Sequence, residues 1–144
     1  MKKSNLLILM IVFLYVSLFA KSQEFMTFDT VCLEDHIDMC FPIFVGGYDV
    51  DQVITAEEIQ SLQVCAKLEH SYLGDMYLYI ICPNGQQATM HEYYTCNNSY
   101  MGEPNQSDNC VPGTGYDYCW AMNSPHFMTD VCSSGSIVPQ GIYK

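Results

Sequence analysis

Eight cysteines, four histidines and two loops dense in hard oxygen ligands hold most of the chemistry this chain could perform. The cysteines are Cys32, Cys40, Cys65, Cys82, Cys96, Cys110, Cys119 and Cys132. They form no Cys-x-x-Cys pair, and no His stands at zinc-finger spacing from a Cys. An even set with these spacings points to disulfides rather than to a redox pair or a zinc centre. The full connectivity is not readable from spacing. Cys96 and Cys110 lie near the two ends of a long polar loop and are the expected pair. Calcium takes about 6–8 oxygens from carboxylates, amides and carbonyls. Glu103, Asn105, Asp108 and Asp117 could supply such a set, and Asp49 with Asp51 a smaller one. Ordinary solvated acids are the plainer account of both loops.

The remaining polar motifs point away from catalysis. His91-Glu92-Tyr93-Tyr94-Thr95 begins like a zinc-protease helix motif, but the second His is missing and the segment has strand character. No Gly-x-Ser-x-Gly elbow occurs, and Ser133-Ser134-Gly135-Ser136 reads as a turn. His70 falls on the apolar parity of its strand, where a ring bonded to its neighbours is expected rather than a base or ligand. Asp75 suits a turn, where its carboxylate can bond nearby backbone. No catalytic residue is assigned.

Export is the expectation from the N-terminus. Lys2 and Lys3 precede an apolar stretch from Leu6 to Ala20, shorter than a comfortable membrane span. Small residues at Ala20 and Ser22 favour cleavage before Gln23, giving a signal peptide over 1–22 and one domain over 23–144. Secreted localisation follows, with no membrane attachment after cleavage. The chain has a net charge of −11 and contains no Arg. All 16 acids lie beyond residue 22, with only Lys67 and Lys144 to balance them. Such a field disfavours nucleic acid and anionic lipid.

The elements that would position these groups are short strands. Leu62, Val64, Ala66, Leu68 and His70 share one parity, and so do Met76, Leu78, Ile80 and Cys82. Alternation on both sides of Gly74-Asp75 predicts a hairpin with one buried face. Tyr77 and Tyr79 then fall on the opposite face. Pro83-Asn84-Gly85 stops the second strand. Further strands are expected at Phe41–Val45, Gln87–Tyr93 and from Ile137 onward. Thr55 and Glu58 form a capping box, with Ile54 and Ile59 as a staple, for a single helical turn. From Thr95 to Gly115 the chain is a long polar loop. Short strands with turn clusters predict an all-β fold.

The run Leu68-Glu69-His70-Ser71-Tyr72-Leu73-Gly74-Asp75-Met76, closed by Cys82-Pro83-Asn84-Gly85, resembles the signature of the P domain. That is the non-catalytic module beside subtilisin-like domains in proprotein convertases and in secreted bacterial proteins. Gly102-Glu103-Pro104-Asn105 and Gly113-Thr114-Gly115-Tyr116-Asp117-Tyr118-Cys119-Trp120 resemble later segments of such modules. The resemblance implies a jelly-roll-like (galactose-binding-like) β-sandwich with His70, Gly74, Asp75, Pro83 and Gly85 as structural signature residues. Met76 replaces the usual Leu, and Cys82 the usual Ser. The family's aromatic closing segment does not follow Lys144, so the sandwich is expected to be incomplete, with an exposed apolar edge near Ile137 to Tyr143. The subtilisin-like catalytic signatures are missing. The resemblance therefore implies an accessory role toward a subtilisin-like serine endopeptidase domain, or toward other domains of secreted proteins. The alternative is a calcium-dependent carbohydrate- or surface-binding module.

Overall fold

The computed structural model describes residues 31–32, 38–42, 53–82, 84–105 and 110–144. The expected signal peptide, residues 43–45 of the first expected strand, Asp49, Asp51, Pro83 and Asp108 lie outside the described residues. The chain divides into two compact units, Met1–Val31 with His36–Gln52, and Cys32–Asp35 with Val53–Lys144. Of the first, residues 31 and 38–42 are described; Cys40 and Phe41 among them are exposed.

The main stretch of the second unit carries α1 (Ala56–Ser61), the single α-helix among the described residues. Thr55 and Glu58 make the expected capping box: Glu58 N–H donates to Thr55 Oγ1, and Thr55 N–H to the Glu58 carboxylate at 2.7 Å. Those bonds hold the Glu58 carboxyl below the usual carboxylate range. The helix ends after six residues, with Leu62 already extended, because the alternating strand pattern takes over.

The rest is built from strands: β1 (Gln63–Leu68), β2 (Leu78–Ile81), β3 (Gln87–His91), β4 (Tyr100–Met101), β5 (Tyr116–Ala121), β6 (Ile137–Val138) and β7 (Gly141–Tyr143). The described fold is therefore all-β apart from α1 and two 3₁₀ turns, Leu73–Asp75 and Met128–Asp130. β5 is the centre of a mixed sheet, antiparallel to β1 and parallel to β7. β2 and β3 form an antiparallel ribbon, and β4 and β6 a short parallel pair. β7 is a sheet edge, and Ile137 and Ile142 are exposed near it.

This arrangement corrects the hairpin expected across Gly74-Asp75. β1 pairs with β5, and β2 pairs with β3. Gly74-Asp75 belongs to a 3₁₀ turn that carries the chain from one sheet to the other. The β2–β3 hairpin turns instead at Asn84-Gly85. There Gly85 takes a φ of +83°, its N–H donates to the Cys82 carbonyl, and Asn84 Oδ1 accepts from Gln86 N–H. A side chain at position 85 would be strained in that left-handed conformation.

The core gathers Leu73, Met76, Met101, Tyr118, Trp120, Met128, Val138 and Tyr143. Tyr118 is fully buried, and its hydroxyl is fully used. It accepts from Gly102 N–H at 2.8 Å and donates to the Val138 carbonyl at 2.9 Å. Burial raises the Tyr118 phenol's pKa, so the hydroxyl keeps the proton it donates.

Three disulfides, Cys65–Cys119, Cys96–Cys132 and Cys32–Cys110, cross-link the unit. They suit an oxidising, extracellular type of compartment. The expected Cys96–Cys110 pair is not formed. Residues 96–101 run beside 132–138: Tyr100 N–H donates to Ser136 O, Gly135 N–H to Asn98 O, and Ser99 Oγ to Ser133 O. That alignment sets Cys96 against Cys132, while Cys110 pairs with Cys32. Cys65 and Cys119 are directly opposite in the β1–β5 register, with Cα atoms 4.0 Å apart. Cys40 and Cys82 are exposed free thiols. Among the described residues no helix is long and apolar enough to cross a membrane.

Tyr118→Phe removes one acceptor and one donor while leaving the Gly102 N–H and Val138 carbonyl buried. Each stranded group costs about 1–3 kcal/mol. Urea melts should show the variant destabilised on that scale with an unchanged m-value; an unaltered midpoint would refute this role for the hydroxyl.

Candidate functional site

The middle of the run from Leu68 to Met76 is embedded, while Ser71 and Asp75 are exposed. Leu73 and Gly74 are buried, and Leu73 N–H donates to Ser99 O at 2.9 Å. Gly74 leaves room for Asn97, whose Oδ1 would collide with any Cβ at that position. His70 is half-buried; its Nδ1 accepts from Tyr72 N–H at 3.1 Å, and its backbone exchanges two hydrogen bonds with Met101. Asp75 sits exposed in the 3₁₀ turn.

Glu69, next to His70, has a role that alternation did not reveal. Its two carboxylate oxygens accept from Asn105 N–H at 3.2 Å and from Gly113 N–H at 3.1 Å. It thereby clamps both ends of the acidic loop, beside the Glu103–Thr114 bridge. Glu103 Oε1 accepts from the Tyr116 hydroxyl at 2.9 Å, and that bond raises the Tyr116 pKa. Asp117 lies opposite Lys67 in the β1–β5 register. Of the expected calcium ligands, Glu103 and Asn105 are therefore neighbours on the clamped loop, and Asp117 sits on β5. Among the described residues no three His, Cys, Asp or Glu side chains group as a metal site.

His91 ends β3 and is buried. Its Nε2 lies 2.9 Å from the Leu73 carbonyl, which can only accept, so Nε2 carries a proton. Burial lowers the pKa of the ring; the Leu73 carbonyl and Glu92 oppose this, while His70 reinforces it. Beside it lies an open cavity of about 280 Å³, lined by Thr89, His91, Glu92, Thr95, Met128 and Lys144 among others. The Lys144 ammonium stands 6.0 Å from the centre of the Phe127 ring.

The other grouping is aromatic. Along the β2–β3 ribbon, Tyr77 contacts Tyr79 with ring centres 5.2 Å apart. Tyr93 stacks on Tyr77 at 5.4 Å with the planes within 15°. Tyr94 follows Tyr93 at 6.2 Å. Gln87 Nε2 donates to the Tyr77 hydroxyl at 2.7 Å, and Thr89 Oγ1 lies 3.0 Å from it. Tyr93 and Tyr94 are 52% and 82% exposed. Tyr94 adopts a φ of +62°, uncommon for a bulky residue. Its N–H donates to the Gly74 carbonyl, and its own carbonyl accepts from Asn97 Nδ2. The outward parity of Tyr77 and Tyr79 was visible in the sequence. The bulge between Leu78 and Tyr79 and the left-handed turn that bring four rings together were not.

Comparisons with protein-family models, with curated proteins and with solved structures give no match to this chain.

The His91 environment sets a pH dependence. Its pKa in the fold lies below the ordinary value of 6.5, so the unfolded chain binds the extra proton first as pH falls. Its stabilisation is complete above 6.5 and is lost as pH drops from there through the lowered value. Melting temperatures should fall on that acid limb, and His91→Gln, which keeps an N–H donor without titrating, should flatten it. A variant with the parent's slope would place the titration elsewhere.

Proposed function

We propose that this chain is a secreted, non-catalytic recognition module of the P-domain type, with a jelly-roll-like β-sandwich as its framework. Its role is accessory: it accompanies a subtilisin-like serine endopeptidase domain or other domains of secreted proteins. One observation carries this reading. The residues that resemble the family signature are spent on packing and backbone satisfaction: Leu73 in the core, Gly74 against Asn97, and the His70 ring on Tyr72 N–H. A motif used in that way serves a scaffold, and a scaffold cross-linked by disulfides suits a surface that binds without reacting.

Purified mature protein should hydrolyse no peptide substrate and should take no stoichiometric label from serine-directed covalent inhibitors. It should co-purify with a subtilisin-like catalytic domain when the two are exported together. Stoichiometric labelling would overturn the non-catalytic reading, and failure to co-purify would remove the protease as partner.

Calcium enters as a stabiliser of the loop containing Glu103, Asn105 and Asp108, with Asp117 as a further candidate ligand. Millimolar calcium should raise the melting temperature, because a ligand that binds the native state stabilises it. Glu103→Gln with Asp108→Asn should abolish the shift. Equal melts in calcium and in chelator would leave these residues as solvated acids.

A further inference from the structure

We propose that the tyrosine row on the β2–β3 ribbon binds an uncharged polysaccharide, with Tyr93 and Tyr94 stacking on sugar rings and Tyr77 holding Tyr93 in place. The proposal rests on reading the chain as a recognition module and names the class of ligand that its exposed face would take.

Three observations converge on this face. The first is order. Tyr93 is backed by a parallel ring, and that ring is tied by Gln87 and Thr89 through its hydroxyl. Rings fixed before binding lose little conformational freedom on contact. The second is exposure. Tyr94 is held out at 82% exposure by a left-handed backbone that Gly74 and Asn97 fasten on both sides. Strained backbone around an exposed aromatic is a costly arrangement that packing alone does not require.

The third observation is charge. From Met76 to Gly102 the one formally charged side chain is Glu92, in a chain whose net charge is −11. The ribbon instead offers Tyr rings, Gln86, Gln87 and Thr89. A sugar presents an apolar C–H face and a rim of hydroxyls, which match aromatic faces flanked by amides and hydroxyls. Acidic polymers and nucleic acids, which could also stack on tyrosine, are repelled by the field of the whole chain.

Affinity electrophoresis of the mature protein tests this directly. The gels would contain hydroxyethylcellulose, mixed-linkage β-glucan or galactomannan, with polygalacturonate as the charged control. Migration should be retarded by at least one neutral polymer, with or without chelator, and not by polygalacturonate. Tyr93→Ala and Tyr94→Ala should each weaken the interaction by about tenfold or more, one decade corresponding to about 1.4 kcal/mol. Tyr94→Phe should retain it. Unchanged emission from the buried Trp120 controls for folding.

Free migration in every neutral gel would overturn the proposal, as would a Tyr94→Ala variant that binds like the parent. Self-association by light scattering that is lost in Tyr94→Ala would assign the row to a second copy of the chain and overturn it equally. If the neutral gels fail while co-purification with the protease domain succeeds, the module reading survives and the polysaccharide assignment alone falls. Labelling by a serine-directed inhibitor would bring down the module reading whatever the gels show.

Discussion

The hydroxyl of Tyr118 is the constraint on which the described fold turns. A phenol buried without partners would be costly, and here it is satisfied twice, by Gly102 N–H and by the Val138 carbonyl. Those partners belong to segments distant in sequence: the end of β4, where the chain enters the acidic loop, and β6. One side chain on the central strand therefore fixes how two segments of minimal regular structure sit on the sheet. β4 and β6 are two residues each and could not hold their register through their own ladder alone. The surrounding core is rich in Met, whose flexible side chains fill irregular gaps but specify little. Specificity must come from a directional bond, and Tyr118 supplies it. The Trp120 indole, two residues on, gives no such help: its N–H is buried without an acceptor among the described residues.

Cross-linking completes what that bond begins. Along β5 the side chains alternate, so Tyr118 and Trp120 face the core while Cys119 faces the other way. The Cys65–Cys119 bridge thus staples the outer face of the β1–β5 pair, directly across the register. Cys96–Cys132 binds the turn after β3 to the segment that leads into β6. A small acidic domain gains from such links, because self-repulsion of like charge opposes compaction and closing loops in advance limits the unfolded chain.

Periodicity in the sequence revealed which face a strand buries, but not which strand it pairs with. The alternation of Val64, Ala66 and Leu68 is present as a half-buried face of β1, and the third strand begins at Gln87 as expected. The capping box at Thr55 and Glu58 was legible because both partners lie within one turn. The expected hairpin across Gly74-Asp75 was wrong, because the true partner of β1 was not legible. Its pattern suits any antiparallel neighbour, and the partner of β1 lies some fifty residues on, in β5. The Cys96–Cys110 pairing failed in the same way, since loop ends that look adjacent in sequence are taken by distant partners. Glu69 left a trace, a carboxylate inside an alternating run. The backbone N–H groups it satisfies belong to a loop that local pattern could not place.

The turn at Leu73–Asp75 and the tyrosine row are one mechanical unit. A two-stranded ribbon is marginal by itself, so any surface on β2–β3 needs anchoring from elsewhere. The anchors come from the 3₁₀ turn at Leu73–Asp75. The Leu73 carbonyl takes His91 Nε2 at the end of β3, and the Gly74 carbonyl takes Tyr94 N–H just beyond it. Asn97, seated where Gly74 lacks a side chain, donates to the Tyr94 carbonyl. Leu73 and Met76 root the same turn in the core. Tyr94, with Tyr93 beside it, is therefore referred back through backbone bonds to the turn at Leu73–Asp75. A substitution at Gly74 would displace Asn97 first and the exposed Tyr94 next, so it would disturb the tyrosine row before it unfolded the sheet around Tyr118. Conserving packing at that turn and presenting aromatics on the ribbon are two consequences of the same geometry.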